Sequence, residues 1–212
     1  MSPWKKTSIF FLVCSLTYAL LIIPWPGLFD GYRACFRAGG NVLFHSFGPG
    51  GSVRFEPLAS GDHTKDTTLV MRKKGLIGKA ELDMKAVYMG YRPTAFMIAL
   101  VLATPIPWSR RWRALLWGFL WVNVFVAFRV WLKMLDAYSD NNALSIYEFS
   151  DLTKSVLDGV VAVLVSAPEA HYMIPVFIWV LVAFRRDTWR ETFGLQPAPV
   201  GPNRGKKKPQ KA

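Results

Sequence analysis

The chain has 212 residues, of which 52% are hydrophobic, and a formal net charge of +12. This length suits one domain of ordinary size. The positive charge lies largely at the ends of apolar runs and no recognised nucleic-acid module is present, so nucleic-acid binding is not expected. The nine tryptophans fit side chains placed at membrane interfaces. Composition therefore favours an integral membrane protein over a soluble basic one.

Residues 1–29 are predicted to form an N-terminal transmembrane helix. Lys5 and Lys6 precede an uncharged run, residues 8–24, of about the length that spans a bilayer. A cleaved signal peptide has a similar pattern, but no small-x-small cleavage motif follows this run. We therefore expect an uncleaved helix with its N-terminus in the cytoplasm.

Residues 30–87 are the largest water-soluble stretch and are predicted to hold an extracytoplasmic amphipathic helix and short strands. Residues 32–47 have the pattern of such a helix, weakened by Gly39 and Gly40. Three alternating runs separated by turn residues predict a small antiparallel β element. These runs are residues 52–56, 67–72 and 79–87. Because the segment is too small for a large core, it should pack on the membrane portion or on a partner.

Residues 88–134 are predicted to form a transmembrane helical hairpin. Two apolar runs, residues 94–108 and 114–131, flank a turn that contains Arg110, Arg111 and Arg113. Backbone in hydrocarbon must satisfy its own hydrogen bonds, so each run is expected to be helical. The basic turn is expected on the cytoplasmic side of the membrane.

The remainder of the chain is predicted to enter the membrane once more. Residues 135–170 should form an extracytoplasmic loop with a re-entrant or surface segment, because the apolar core at 159–165 is too short to span. Residues 171–186 are predicted to form the last transmembrane helix. Residues 187–212 are predicted to be a disordered basic cytoplasmic tail.

The basic residues that flank the apolar runs predict the topology. With four spans, Lys5 and Lys6, the hairpin arginines, and Arg185 with Arg186 all fall on one side, as the positive-inside rule requires. The predicted fold class is mainly α: a polytopic membrane helical bundle of about four transmembrane helices with a small extracytoplasmic β element. It is expected to be integral to the cell (inner or plasma) membrane, with both termini cytoplasmic.

Several side chains stand out for their chemistry. Arg129 lies toward the outer end of its apolar run, where a charge marks a site or snorkels to the interface. Asn123 is better explained as a contact between helices than as a site. His171 opens the last apolar run, a position more typical of an interfacial anchor than of a catalyst. Cys14 and Cys35 lack a zinc-site spacing and are not expected to pair.

Five features follow one another in order along the chain: residues 87–92 (VYMGYR), an apolar helix, the basic turn 109–113 (SRRWR), a helix bearing Arg129, and His171 at the start of a late helix. This order resembles the exosortase/archaeosortase family, over roughly residues 32–184. The resemblance implies a polytopic, transpeptidase-like membrane enzyme that processes proteins with a C-terminal sorting signal. The proposed active site of that family holds Cys, Arg, and His or Arg at the outer face.

The sequence departs from the family pattern at the nucleophile. The family motif is Cys, one residue, then Gly, but here Tyr88 stands in the Cys position before Gly90. A tyrosine hydroxyl is a poor acyl acceptor without strong activation. Val126 stands where the family often has Asn. The resemblance therefore implies a vestigial active site or binding pocket without a catalytic residue, cofactor or metal. Its residues are Tyr88, Gly90, Arg92, Arg129 and His171.

Three functions follow as hypotheses from these observations. The first is a non-catalytic exosortase-like protein that binds membrane lipid and a partner or sorting-signal peptide at the outer face, which requires Tyr88, Arg129 and His171 to converge on one cavity. The second is an accessory or structural subunit of a membrane or envelope complex, in which these residues point apart. The third is an active membrane enzyme with an altered nucleophile, which requires an activated hydroxyl or a metal. The sequence shows no carboxylate–histidine cluster for such activation.

Overall fold

The computed structural model describes residues 3–25, 27–48, 50–58, 66–75, 79–140, 147, 149–167 and 169–183. Arg185, Arg186 and the predicted basic tail, residues 187–212, lie outside the described residues. The described part is mainly helical and contains one small antiparallel sheet. Its helices are α1 (Pro3–Ile22), α2 (Leu28–Phe44), α3 (Arg92–Ala103), α4 (Trp108–Asp140), α5 (Asp151–Val161) and α6 (Ala170–Ala183). Its strands are β1 (Ser46–Phe47), β2 (Gly51–Pro57), β3 (Thr67–Lys73) and β4 (Lys79–Met84), and π-helical turns span Val87–Tyr91 and Ala162–Ser166.

Two of these helices are long and apolar enough to cross a membrane, over Trp4–Ile22 and Trp108–Ser139. The bent pair Asp151–Ser166 and Ala170–Ala183 would make a third span if it is one broken segment. The apolar helix Val87–Ala103 is shorter. The length and composition of the described helices thus support a membrane protein. The number of helices that pass as membrane spans, two or three, is below the predicted four.

Contacts at the helix ends give the directions of the four apolar helices. The Tyr91 hydroxyl, at the start of α3, donates to the carbonyl oxygen of Leu21 at the end of α1, over 2.7 Å. At the other end, Trp179 near the end of α6 donates its ring N–H to the hydroxyl of Thr104, which follows α3, over 2.8 Å. The Phe10 ring stacks on Trp179 at 5.7 Å. Helices α1 and α4 therefore run one way, and α3 and α6 run the other.

Helix α3 lies at the centre of this bundle and α1 lies at its edge. Helix α3 packs on α1, α4 and α6, and its Ala99 and Val101 are fully buried. In contrast, only 6% of the apolar stretch of α1 is buried inside the protein. Such an exposed apolar surface on a helix of spanning length is the pattern expected for lipid contact.

The basic turn of the hairpin closes the end of α3. The helix ends at Ala103, before Pro105 and Pro107, as the prolines predict. Arg111 donates through Nη2 to the carbonyl oxygens of Thr104 and Ile106, over 3.2 and 3.4 Å. These bonds satisfy carbonyl groups that no helical N–H reaches. Arg111 therefore stabilises the turn between the two helices through hydrogen bonds, in addition to contributing positive charge.

Helix α2 differs from its prediction in both its bounds and its continuity. It spans Leu28–Phe44 rather than residues 32–47, and Gly39 and Gly40 lie within it. A Cβ at Gly40 would meet the Phe55 ring at 2.7 Å, so this glycine lets β2 approach the helix. Asn41 fixes the contact, because its amide exchanges hydrogen bonds of 3.2 and 2.8 Å with the Phe55 backbone.

The sheet confirms the predicted antiparallel β element. Its order is β1-β2-β3-β4, with every neighbouring pair antiparallel. The sheet packs on the last turns of α4, where Met134 and Tyr138 are fully buried. The Tyr138 hydroxyl lies 3.2 Å from the carbonyl oxygen of Ser52. The prediction that this hairpin arm ends near Met134 is wrong, because packing under the sheet carries the helix on to Asp140.

Candidate functional site

Tyr88 lies in the π-helical turn that leads into α3. Single π-helical turns inside helices occur often at functional sites. The turn is anchored from the sheet side by Asp66, just before β3. Its carboxylate accepts hydrogen bonds from the backbone N–H groups of Ala86 and Val87, over 2.7 and 3.3 Å. The small sheet therefore fixes the start of the helix that carries Tyr88.

The aromatic ring of Tyr88 joins two of the other predicted site residues. Its centroid lies 4.4 Å from that of His171, and the two rings are inclined by 53°. The guanidinium carbon of Arg92 lies 4.8 Å from the same ring centroid, within the range of a cation–π interaction. The start of α6 and the start of α3 therefore meet through these three side chains.

Arg129 faces the protein interior and does not snorkel to the lipid. The residue is 1% exposed, and its Nη2 donates to the carbonyl oxygen of Val165, in the second π-helical turn, over 2.8 Å. Its guanidinium carbon lies 5.8 Å from the Phe125 ring centroid. Val165 lies six residues before His171, so this bond joins Arg129 to the segment that leads into α6. Arg129 therefore lies at the same end of the bundle as Tyr88 and His171.

The cluster carries positive charge that no carboxylate balances in the described part of the chain. The ion pairs found there join Arg33 to Asp30 and Asp66, and Lys79 to Glu81; none involves Arg92 or Arg129. The Nε and Nη1 atoms of Arg129 are buried without a hydrogen-bond partner among the described residues. A buried guanidinium with unmet donors is costly, so this arrangement favours an anionic ligand.

Gly90 has a packing role in this arrangement. The Tyr32 hydroxyl occupies the space that a Cβ at Gly90 would fill. Burial, followed by the charge of Asp66 and by Cys35, raises the pKa of Tyr32, so this hydroxyl stays neutral. The glycine at position 90 is thus explained here by the close approach of α2.

The two thiols lie apart from the cluster. Cys14 packs against Ala99 and Leu100 between α1 and α3, and Cys35 is exposed on α2; both are free cysteines. The described residues contain no group of three or more His, Cys, Asp or Glu side chains suited to a metal ion. The cluster can therefore bind through cations and rings, but no thiol stands beside them.

A second feature, an apolar groove of about 610 Å³ between α2 and the hairpin, was not predicted. The α2 side includes large residues such as Tyr32 and Phe36. It also has small residues at every fourth position, and this spacing was the available sequence signal: Gly27, just before α2, and Gly31, Cys35 and Gly39 within it. The opposite wall includes Phe119 and Asn123. Asn123 was predicted to make a contact between helices. Its side-chain amide instead donates to the carbonyl oxygen of Phe119 in its own helix. Tyr88, Arg129 and His171 are not among the groove's lining residues.

Comparisons with protein-family models, with curated proteins and with solved structures find no match to this chain. Function must therefore be argued from the cluster itself. In that cluster, Tyr88, Arg129 and His171 lie together rather than pointing apart. The binding hypothesis also requires one cavity that all three residues line, and the groove between α2 and the hairpin is lined by none of them.

We expect Asp66→Ala to destabilise the protein by about 1–2 kcal/mol, because it removes the acceptor for two backbone N–H groups at a helix start. Thermal unfolding of the full chain in detergent, followed by circular dichroism, measures this loss. Asp30→Ala is the matched control, since the ion pair of this exposed carboxylate with Arg33 lies at the surface. Equal melting temperatures for the two variants would contradict the anchoring role of Asp66.

Proposed function

We propose that this chain is an integral membrane protein of the exosortase/archaeosortase type that has no Cys-dependent transpeptidase activity. It binds a partner protein, or a peptide with a C-terminal sorting signal, at its outer face. The observation that carries this proposal is the cluster of Tyr88, Arg129 and His171. The rings of Tyr88 and His171 contact each other, and Arg129 lies buried at the same end of the bundle, although the three residues are far apart in sequence.

The proposed topology has four spans, with both termini in the cytoplasm. Helix α1 begins with Lys5 and Lys6 at the end of the bundle where the basic turn joins α3 to α4. The sheet and the cluster lie at the opposite end, which this topology makes extracytoplasmic. The short apolar helices α3 and α6 complete the four spans by lying between α1 and α4.

Binding without thiol chemistry follows from the residues around Tyr88. The neighbouring Arg92 and Arg129 offer cations and N–H donors, and the Tyr88 and His171 rings offer flat apolar faces. Cations and aromatic faces recognise charged and apolar groups of a ligand without forming a covalent bond. The vestigial pocket, Tyr88, Gly90, Arg92, Arg129 and His171, therefore acts as a receptor site in this proposal.

Photo-crosslinking from position 88 tests the binding function. A benzophenone amino acid replaces Tyr88 in the full chain, co-expressed with a reporter that ends in an apolar segment and a sorting-type signal. We expect a covalent adduct with the reporter, mapped by mass spectrometry to its C-terminal segment. The matched control places the same group at Trp117, an exposed position on α4, and should give no reporter adduct.

The same cells show whether the reporter is processed. Reporter length should be unchanged by the chain and by a Cys14→Ser/Cys35→Ser variant. If the wild-type chain shortens the reporter and this double variant does not, the protein is a thiol enzyme and the proposal is wrong. An adduct equally strong from position 117 would also reject a specific outer site.

Labelling of single cysteines tests the proposed topology. In the Cys14→Ser/Cys35→Ser background, Ser52→Cys on β2 should react with a membrane-impermeant maleimide added to intact cells. Ser109→Cys in the basic turn should react only after the membrane is opened, because this turn is placed in the cytoplasm. Labelling of position 109 in intact cells would overturn the proposed orientation.

A further inference from the structure

The guanidinium of Arg129 is the most incompletely satisfied group in the cluster. Its Nη2 bonds to Val165, whereas Nε and Nη1, which carry most of its N–H donors, have no hydrogen-bond partner among the described residues. The residue is 1% exposed, so bulk water does not accept hydrogen bonds from these donors. A buried, charged donor without an acceptor is expensive, and an anionic oxygen is the acceptor it prefers.

A second guanidinium lies at the same end of the bundle. The guanidinium carbon of Arg92 lies 4.8 Å from the centroid of the Tyr88 ring, at the start of α3. Neither arginine forms an ion pair with a carboxylate in the described ranges. Arg92 therefore adds a second positive charge at the end of the bundle that holds Arg129.

The position of Arg129 along α4 indicates the source of the anion. At about 1.5 Å per residue, Arg129 lies roughly 24 Å from Arg113 and roughly 31 Å from Trp108 along the helix axis. The hydrocarbon core is about 30 Å thick. If the basic turn marks one boundary, Arg129 lies within about one helical turn of the other boundary, where lipid headgroups begin. The helix then continues to Asp140 under the sheet.

We propose that Arg129 binds the phosphate of an anionic phospholipid at the outer end of the bundle. The phosphate accepts hydrogen bonds from the open donors of Arg129, and the charge of Arg92 adds to the attraction. Basic pockets between transmembrane helices are known to hold lipid headgroups in this way. The inference uses the site of the proposed function and names a lipid as the ligand that completes it.

A carboxylate at the end of a peptide is the competing anion for the same donors. The depth of Arg129 favours the lipid, because phosphates are present at that level of every phospholipid bilayer. A peptide must instead bring its terminus between α4 and the bent segment that carries Val165. The experiment therefore includes a peptide arm, and displacement by peptide counts against the lipid assignment.

Native mass spectrometry of the full chain in detergent measures the binding directly. Phosphatidylglycerol and phosphatidylcholine with identical acyl chains are added in equal amounts. We expect the wild type to retain phosphatidylglycerol preferentially, and Arg129→Leu to lower its apparent affinity about tenfold, since hydrogen bonds to a charged group are lost. Arg129→Lys, which keeps the charge but not the planar fork, should fall between them.

Two further variants keep the test decisive. Arg92→Gln removes the second cation from a half-buried position and should also weaken the preference for phosphatidylglycerol. This variant carries the test if Arg129→Leu fails to fold. Arg113→Gln removes one guanidinium from the opposite end of the same helix, where it is exposed, and should change nothing. Circular dichroism and gel filtration establish that each variant is folded before its lipid binding is compared.

Three results would overturn the inference. The first is equal retention of the two lipids by the wild type. The second is an equal loss in Arg113→Gln, which would indicate general surface charge. The third is displacement of phosphatidylglycerol by a short apolar peptide with a free C-terminal carboxylate but not by its amide. If lipid preference is absent while position 88 still crosslinks the reporter, this inference fails and the proposed function stands.

Discussion

Met134→Ala is expected to cost about 2–5 kcal/mol of unfolding free energy, among the largest effects of any single truncation in the chain. Met134 is fully buried in the core that α4 forms with the sheet, together with Val53, Leu69 and Tyr138. Truncation removes apolar contacts and leaves a cavity, and the surrounding strands are tied to one another by their hydrogen-bond ladder. The lower melting temperature of the full chain in detergent, read by circular dichroism, measures the loss.

Met173→Ala is the matched control for this truncation. Met173 is 58% exposed on α6, so the same change of side chain removes little contact within the protein. A large loss at position 134 and a small one at position 173 would show that the sheet is held by α4. Comparable losses would instead mean that the sheet contributes little stability to the folded chain.

The helices could be predicted from sequence because their signals are local. An uncharged run after Lys5 and Lys6 is enough to predict α1, and the pair Pro105 and Pro107 is enough to end α3. Strands β2 and β3 were placed within one residue of their ends, and β4 ends at Met84 rather than extending to Val87. Strand β1 was missed, because residues 46–47 were assigned to the amphipathic helix. Alternation and turn residues act over a few positions, so no tertiary information was needed.

The misplaced boundaries belong to residues whose structure is decided by distant contacts. Residues 136–140 are polar and look like a loop, yet Tyr138 stacks on Phe47 at 5.3 Å and keeps α4 helical. Gly39 and Gly40 look like a helix break, yet Gly40 is where the Phe55 ring approaches α2. Neither contact can be read from a window of neighbouring residues.

Some contacts of the candidate site could likewise be predicted from sequence, and others could not. Antiparallel helices joined by a short turn bring their far ends together, so the meeting of Tyr88 with the Arg129 helix followed from topology. The cation–π contact of Arg92, the carbonyl of Val165 and the anchoring carboxylate of Asp66 did not. These depend on a side-chain rotamer, on the π-helical turn before α6 and on the docking of the sheet, which sequence pattern does not specify.

The second large effect is expected from Gly90→Ala, which should destabilise the protein by about 1–3 kcal/mol. The added Cβ would overlap the Tyr32 hydroxyl and lie 3.1 Å from Cζ of that ring and 3.4 Å from a Val126 methyl group. The Tyr32 ring packs edge-on against Tyr91 at 5.4 Å, so moving it aside gives up this aromatic contact. Either the ring or helix α2 must shift, and thermal unfolding in detergent reports the cost.

A double-mutant cycle separates this clash from a general effect of adding a methyl group. Tyr32→Phe removes the overlapping oxygen, so the pair Gly90→Ala and Tyr32→Phe should be less destabilised than the sum of the two single variants. Gly39→Ala is the control: a Cβ there meets nothing within 4 Å, and alanine favours helix over glycine by about 1 kcal/mol. It should be neutral or stabilising. Strict additivity in the cycle would show that Gly90 is not required by the approach of Tyr32, and the motif glycine would then need an explanation from the site itself.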